Sequence, residues 1–147
     1  MKQFDLIPHT ADIRLVIQGT TREEIFTAAL EGMASIIMHA CKPENTNAQD
    51  LKLKTTYETS AVISTTSIDI TALLIDFLSD VLTQTHLQKT VFTHLIFHEL
   101  SDTHIHATIY GNKVTHFDED IKAVTYHEAN VIKNNVGNHQ TTIVFDI

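Results

Sequence analysis

The sequence predicts an α+β domain in which two helices pack on a mixed or largely antiparallel β-sheet. Three observations carry this. Two segments repeat apolar residues at spacings of three and four, the period of a helix with one buried face. Most of the remainder is rich in Thr, Val and Ile and alternates as half-buried strands do. Helical and strand segments come in separate runs, the pattern of α+β rather than of α/β. No composition shift or repeat divides the chain, so a single domain is expected over residues 1–147.

The first expected strand covers 12–18. The first helix opens at Thr21-Arg22-Glu23-Glu24, a capping-box pattern in which the Thr21 hydroxyl accepts from an early backbone N–H and Glu24 reaches back. Ile25, Ala28, Ala29, Met33, Ile36 and Ile37 make its apolar face, and Lys42-Pro43 stops it. The polar stretch 42–50 reads as a surface loop and 51–65 as a strand. The second helix opens at Ser67, with Asp69 complementing the dipole of its first turn. Leu74, Phe77, Leu78, Val81 and Leu82 form its buried stripe, while Asp76, Ser79, Asp80 and Thr83 face water. Strands over 91–100, 104–110, 121–133 and 141–147 complete the set. Turn-rich joins at 100–103 and 134–138 make antiparallel hairpins of the strands they connect.

Composition removes several classes of function. A chain of 147 residues buries roughly 70% of its unfolded surface and needs no staple. Ten Lys+Arg against 18 Asp+Glu give a net charge of −8, the wrong balance for gripping a phosphate backbone. No direct nucleic-acid binding is expected. Cys41, the single cysteine, can form neither an internal disulfide nor a Cys-based zinc cage, which suits a reducing compartment. No run approaches the ~20 apolar residues of a membrane span, and the opening residues lack a signal-peptide pattern. A cytoplasmic location without membrane contact is expected.

Few motifs carry chemistry. No Gly-x-Ser-x-Gly elbow is present, Cys41 falls at the end of an amphipathic helix, and four glycines make no phosphate-cradling loop. Ten histidines invite a zinc reading, and His104-Ile105-His106 puts two imidazoles on one strand face. The alternation with Ala107 and Ile109 reads more simply as the polar face of a half-buried strand. His94 and His98 would sit ~13 Å apart along a strand. Two places break local rules. His9-Thr10-Ala11-Asp12-Ile13 sets a compact polar cluster before an apolar strand, and Thr141–Ile147 is a strand pattern ending on Asp146 and Ile147. The first also fits a simple turn and the second a plain edge strand. If the terminal carboxylate of Ile147 is held beside Asp146, the two repel, and a cation would relieve that.

At these residues the sequence resembles the archease family. His9–Ile13 followed by Gly19 and Thr21-Arg22-Glu23-Glu24-Ile25-Phe26 is similar to the family's opening, and the stretch from Ser67 to Leu78 to its second helix. Ile121-Lys122-Ala123-Val124-Thr125-Tyr126-His127 is similar to its most specific internal block, and Ile143–Ile147 to its C-terminus. The resemblance implies a small cytosolic accessory protein of tRNA splicing and RNA repair. Its implied partner is an RtcB-type RNA ligase, whose guanylylation and multiple turnover it promotes without a catalysed reaction of its own. It also implies a bound divalent cation, calcium first, with magnesium or manganese as alternatives, held by Asp12, Asp146 and the terminal carboxylate of Ile147. His9, Lys122 and His127 are supporting or partner-contact residues. The stretch from Gly111 to Asp120 is shorter than the family's and sets Asp118 and His116 at its acidic and His positions. Two other functions compete: a stand-alone metal-dependent hydrolase using Asp12, Asp146 and His127, and a general chaperone or interaction module.

Overall fold

In a computed structural model the structure describes residues 11–39 and 56–147. His9, Cys41, the 42–50 loop and the start of the expected 51–65 strand lie outside the described residues. Within them the order is β1 (Asp12–Gly19), α1 (Arg22–Ile37), β2 (Thr59–Thr66), α2 (Ile70–Gln88), β3 (Thr90–Leu100), β4 (His104–Lys113), β5 (Ala123–Thr125), β6 (Ile132–Lys133) and β7 (His139–Asp146). The expected single sheet is two. One runs β1-β7-β5, with β6 also on β7, and the other runs β2-β4-β3. Every pairing is antiparallel.

The helices lie between these sheets. Helix α1 packs on β1 and β3; α2 packs on β2, β3 and β4 from one side and on β5 from the other. That position explains why α2 is apolar over more than a stripe, with Leu73 and Ile75 buried beside the expected Leu74, Phe77, Leu78, Val81 and Leu82. On α1, Phe26, Leu30 and Ala34 join the buried set, while Ala28 and Ile36 are only partly covered. Phe26 and Phe77 meet edge to face at 5.5 Å between ring centres, the geometry that adds about 1 kcal/mol to burial. Side chains of both helices and both sheets form one cluster.

The helix ends correct three details. Thr21 caps α1 by accepting from the Glu24 N–H, but the Glu24 carboxylate bonds the backbone N–H and hydroxyl of Thr20, one residue earlier than a capping box requires. Helix α1 ends at Ile37, ahead of Lys42-Pro43. Its last carbonyl is taken by the backbone N–H groups of Asp118 and Glu119 at 2.8 and 3.3 Å. Asp69 is the N-cap of α2, accepting from Ala72 N–H at 2.8 Å, so the helix starts at Ile70 and not at Ser67.

The two hairpins form as expected, β3 with β4 and β6 with β7. In the second, Gly137 takes a left-handed φ of 84°, and the Asn134 side chain accepts from the N–H groups of Val136 and Asn138. The 121–133 strand is instead broken in two. Ala129 N–H donates to Tyr126 C=O at 3.1 Å, closing a turn in which Glu128 sits at φ 63°.

Candidate functional site

Strands β1 and β7 pair over their whole length, from Gly19 opposite His139 to Asp12 opposite Asp146. Asp146 C=O accepts from Lys122 N–H at 2.8 Å, on the β5 side, whereas Ile147 N–H donates to Ala11 C=O at 3.0 Å. A strand residue turns both backbone groups to one side, so Asp12 and Asp146 form a non-hydrogen-bonded pair. In such a pair the Cα atoms are about 4.5 Å apart and the side chains are immediate neighbours. Residues from opposite ends of the chain thus place two carboxylates on one sheet face. The alternation explains which face. Leu15 and Ile17 turn to the core, which leaves Asp12 and Arg14 outside.

Arg14 organises that face. Its Nη1 donates to Asp12 Oδ1 at 3.0 Å and its Nε to Glu128 Oε2 at 2.9 Å. The bond to Glu128, with help from Asp12, pushes the guanidinium pKa further up, and the same bond holds the Glu128 carboxyl below its ordinary value. Val144, opposite Arg14 on β7, is 2% exposed although it lies outside the core cluster. Neither Arg14 nor Glu128 is among the sequence-predicted site residues. Arg14 was legible, since a residue two along a strand from Asp12 shares its face. Glu128 was not, because its position depends on the turn that breaks the expected strand.

That turn is anchored elsewhere. Tyr126 O–H donates to Asp76 on α2, which also accepts from Ser67 Oγ at 2.6 Å. The bond to Asp76 raises the Tyr126 pKa, with a smaller contribution from desolvation. Asp76, expected to face water, is half-buried by these contacts.

Glu128 adopts a backbone conformation that suits glycine. Glu128→Gly is therefore expected to leave the thermal midpoint at neutral pH unchanged or slightly higher. The depressed Glu128 pKa contributes stability that is present above the ordinary glutamate range and lost as pH falls through the folded value. Thermal unfolding scanned downward through that range should show this loss in wild type and not in the variant. A large drop in midpoint at neutral pH would show that the ion pair outweighs the backbone strain.

The other predicted residues divide. Lys122 reaches Asp146 through its backbone, and its side chain is exposed; His127 is exposed on the turn beside Glu128. Asp118 accepts from His39 N–H at 2.9 Å and lies 3.5 Å from His116, so this loop is tied to the end of α1. Among the described residues no group of three or more His, Cys, Asp and Glu side chains is gathered closely enough to hold a metal ion. Asp12 and Asp146 nonetheless supply hard oxygen donors side by side, the chemistry that suits calcium or magnesium. A carboxylate at Ile147 would add a third. A cation there would take Asp12 in exchange for the Arg14 guanidinium.

Helices enclosed by two antiparallel sheets, with paired carboxylates where the first and last strands meet, define an acidic α+β domain with a sheet-end polar site. The model of the archease protein family (MTH1598/TM1083) matches residues 4–147, and the chain belongs to that family. It is 31% identical over 154 residues to the archease of Methanosarcina barkeri, covering 99% of this chain and 97% of that one. The Pyrococcus abyssi archease is 25% identical, with each chain covered completely. The fold is that of a Thermotoga maritima archease crystal structure, described as a possible chaperone, at TM-score 0.64, 17% identity and 100% and 99% coverage. The solution structure of Methanobacterium thermoautotrophicum protein 1598 agrees at TM-score 0.67, 22% identity and 98% and 96% coverage. Among the described residues no helix is long and apolar enough to cross a membrane.

Proposed function

We propose that this chain is a non-catalytic, chaperone-like accessory protein that activates an RtcB-type RNA ligase in tRNA splicing, promoting its guanylylation and multiple turnover. The observation that carries this reading is the side-by-side placement of Asp12 and Asp146 at the β1–β7 end in a chain of the archease family. Asp12, Asp146 and the carboxylate of Ile147 are the residues that would hold a divalent cation, calcium before magnesium or manganese. A bound cation would supply the positive charge that Asp12 otherwise draws from Arg14.

The protein's own contribution is a preformed acidic tip on a rigid sheet. Arg14 holds Asp12 in place, the Lys122 backbone fixes Asp146, and the Tyr126–Asp76 bond steadies the neighbouring turn. The net charge of −8 favours docking beside a basic RNA-binding cleft without competition for phosphates. His127 lies exposed on the turn and Asp12 is held by a guanidinium, so neither is set up as the base that a hydrolase would need.

The test is a ligase reaction with GTP, Mn²⁺ and RNA ends, run with and without this chain. Ligase alone should stall near one turnover, and the chain should restore many. Equal turnover numbers in the two reactions would end the proposal.

A further inference from the structure

We infer that Tyr126 is a positioning residue of the acidic tip, acting from helix α2 through Glu128 and Arg14 to set where Asp12 presents its carboxylate. The inference rests on the ligase reading for its functional consequence, whereas the positioning is a property of the chain alone. It begins with Glu128, whose φ of 63° is a conformation that persists where the surroundings impose it. The ion pair with Arg14 does not impose it, because both side chains are exposed and such pairs contribute little. The turn is fixed from outside. After Glu128, Asn130 N–H donates to Thr141 Oγ1 on β7 at 2.9 Å and Val131 N–H to Thr71 Oγ1 on α2 at 3.0 Å. Before Glu128, the pairing of β5 with β7 ends at Thr125, and Tyr126 is the first residue past the ladder.

Its hydroxyl donates to Asp76, so the segment 126–131 is tied to α2 on both sides of Glu128. The acceptor is itself oriented, since the other Asp76 oxygen takes the Ser67 hydroxyl at 2.6 Å. Ala129 N–H then closes the turn onto Tyr126 C=O at 3.1 Å, which places Glu128 at its crest. From there the contacts run to the tip. Glu128 Oε2 accepts from Arg14 Nε at 2.9 Å, and Arg14 Nη1 donates to Asp12 Oδ1 at 3.0 Å. A guanidinium is a rigid planar fork, so anchoring Nε fixes the direction of Nη1 and with it the Asp12 carboxylate. Glu128 also gives Arg14 a second anchor, which holds the guanidinium beside the tip when Asp12 changes partner.

The experiment follows hydrogen exchange at Arg14 Nε–H by NMR in the full chain, without ligase. Tyr126→Phe keeps the ring and removes the hydroxyl, and it should speed this exchange about fivefold, the effect of one lost hydrogen bond. Glu128→Ala should speed it at least as much. The double variant should go no further than Glu128→Ala, because Tyr126 acts through Glu128. Ser67→Ala, which takes the other partner from Asp76, should leave the exchange at the wild-type rate. Tyr126→Phe should also lower ligase turnover while its thermal midpoint stays near that of wild type. Unchanged Arg14 exchange in Tyr126→Phe, additive effects in the double variant, or an equal rise in Ser67→Ala would overturn the inference. A chain whose Arg14 exchange responds as expected but which never activates the ligase upholds the positioning and ends the ligase reading instead.

Discussion

Gly111→Ala is expected to destabilise the fold by about 3 kcal/mol, lowering the thermal midpoint by about 10 °C. Gly111 is buried in β4 opposite Phe92 of β3, where the two strands approach closely. A Cβ at this position would lie 2.1 Å from Val91 O, 2.7 Å from Val91 C and 2.8 Å from Phe92 Cα. All three are backbone atoms of a paired strand, so relief requires the β3–β4 ladder itself to shift. Gly32 provides the control. Its added Cβ would meet Leu15 Cδ2 at 2.4 Å, the end of a side chain that can rotate away. Gly32→Ala should therefore cost clearly less. Equal midpoints for Gly111→Ala and wild type would show that the strands can separate at no cost.

Asp12→Ala and an extension of the chain beyond Ile147 should each weaken Ca²⁺ binding by at least about tenfold and remove ligase activation. In the proposed site the first would delete an oxygen donor; the second would replace a charged carboxylate with a neutral amide and crowd the strand end. Neither should harm the metal-free fold beyond the roughly 0.5 kcal/mol of a surface change. Loss of Asp12 relieves its repulsion with Asp146, and Arg14 keeps its contact with Glu128. Calorimetric Ca²⁺ titration beside ligase turnover reads both effects. An extended chain that binds and activates like wild type would remove Ile147 from the site.

Both helices were legible because each depends on local rules: periodic apolar residues, a Thr21 cap, and an acidic residue at the start of α2. The sequence sets the start of α2 at Ser67, two residues ahead of the Asp69 cap, because a capping aspartate and a first-turn aspartate look alike in sequence. The C-terminal end of α1 was not legible at all. It is set by backbone donors of Asp118 and Glu119, which reach Ile37 from a distant loop. The strands are legible as strands, but 121–133 reads as one because its break carries neither glycine nor proline. Glu128 takes the left-handed position itself, within a turn tied down by Tyr126 and Asp76.

By itself the sequence determined that this chain forms two amphipathic helices among alternating strands, with carboxylates at Asp12 and Asp146. These follow from interactions within a few residues, which leave a period, a cap or a turn signature behind. Only the tertiary structure decided that the strands divide into two sheets enclosing the helices, that Asp12 faces Asp146, and that Arg14 bridges Asp12 to Glu128. Alternation records which face of a strand is buried, but not which strand lies beside it. Pairing between β1 and β7 joins residues at opposite ends of the chain, and it is selected by the burial of the whole core at once.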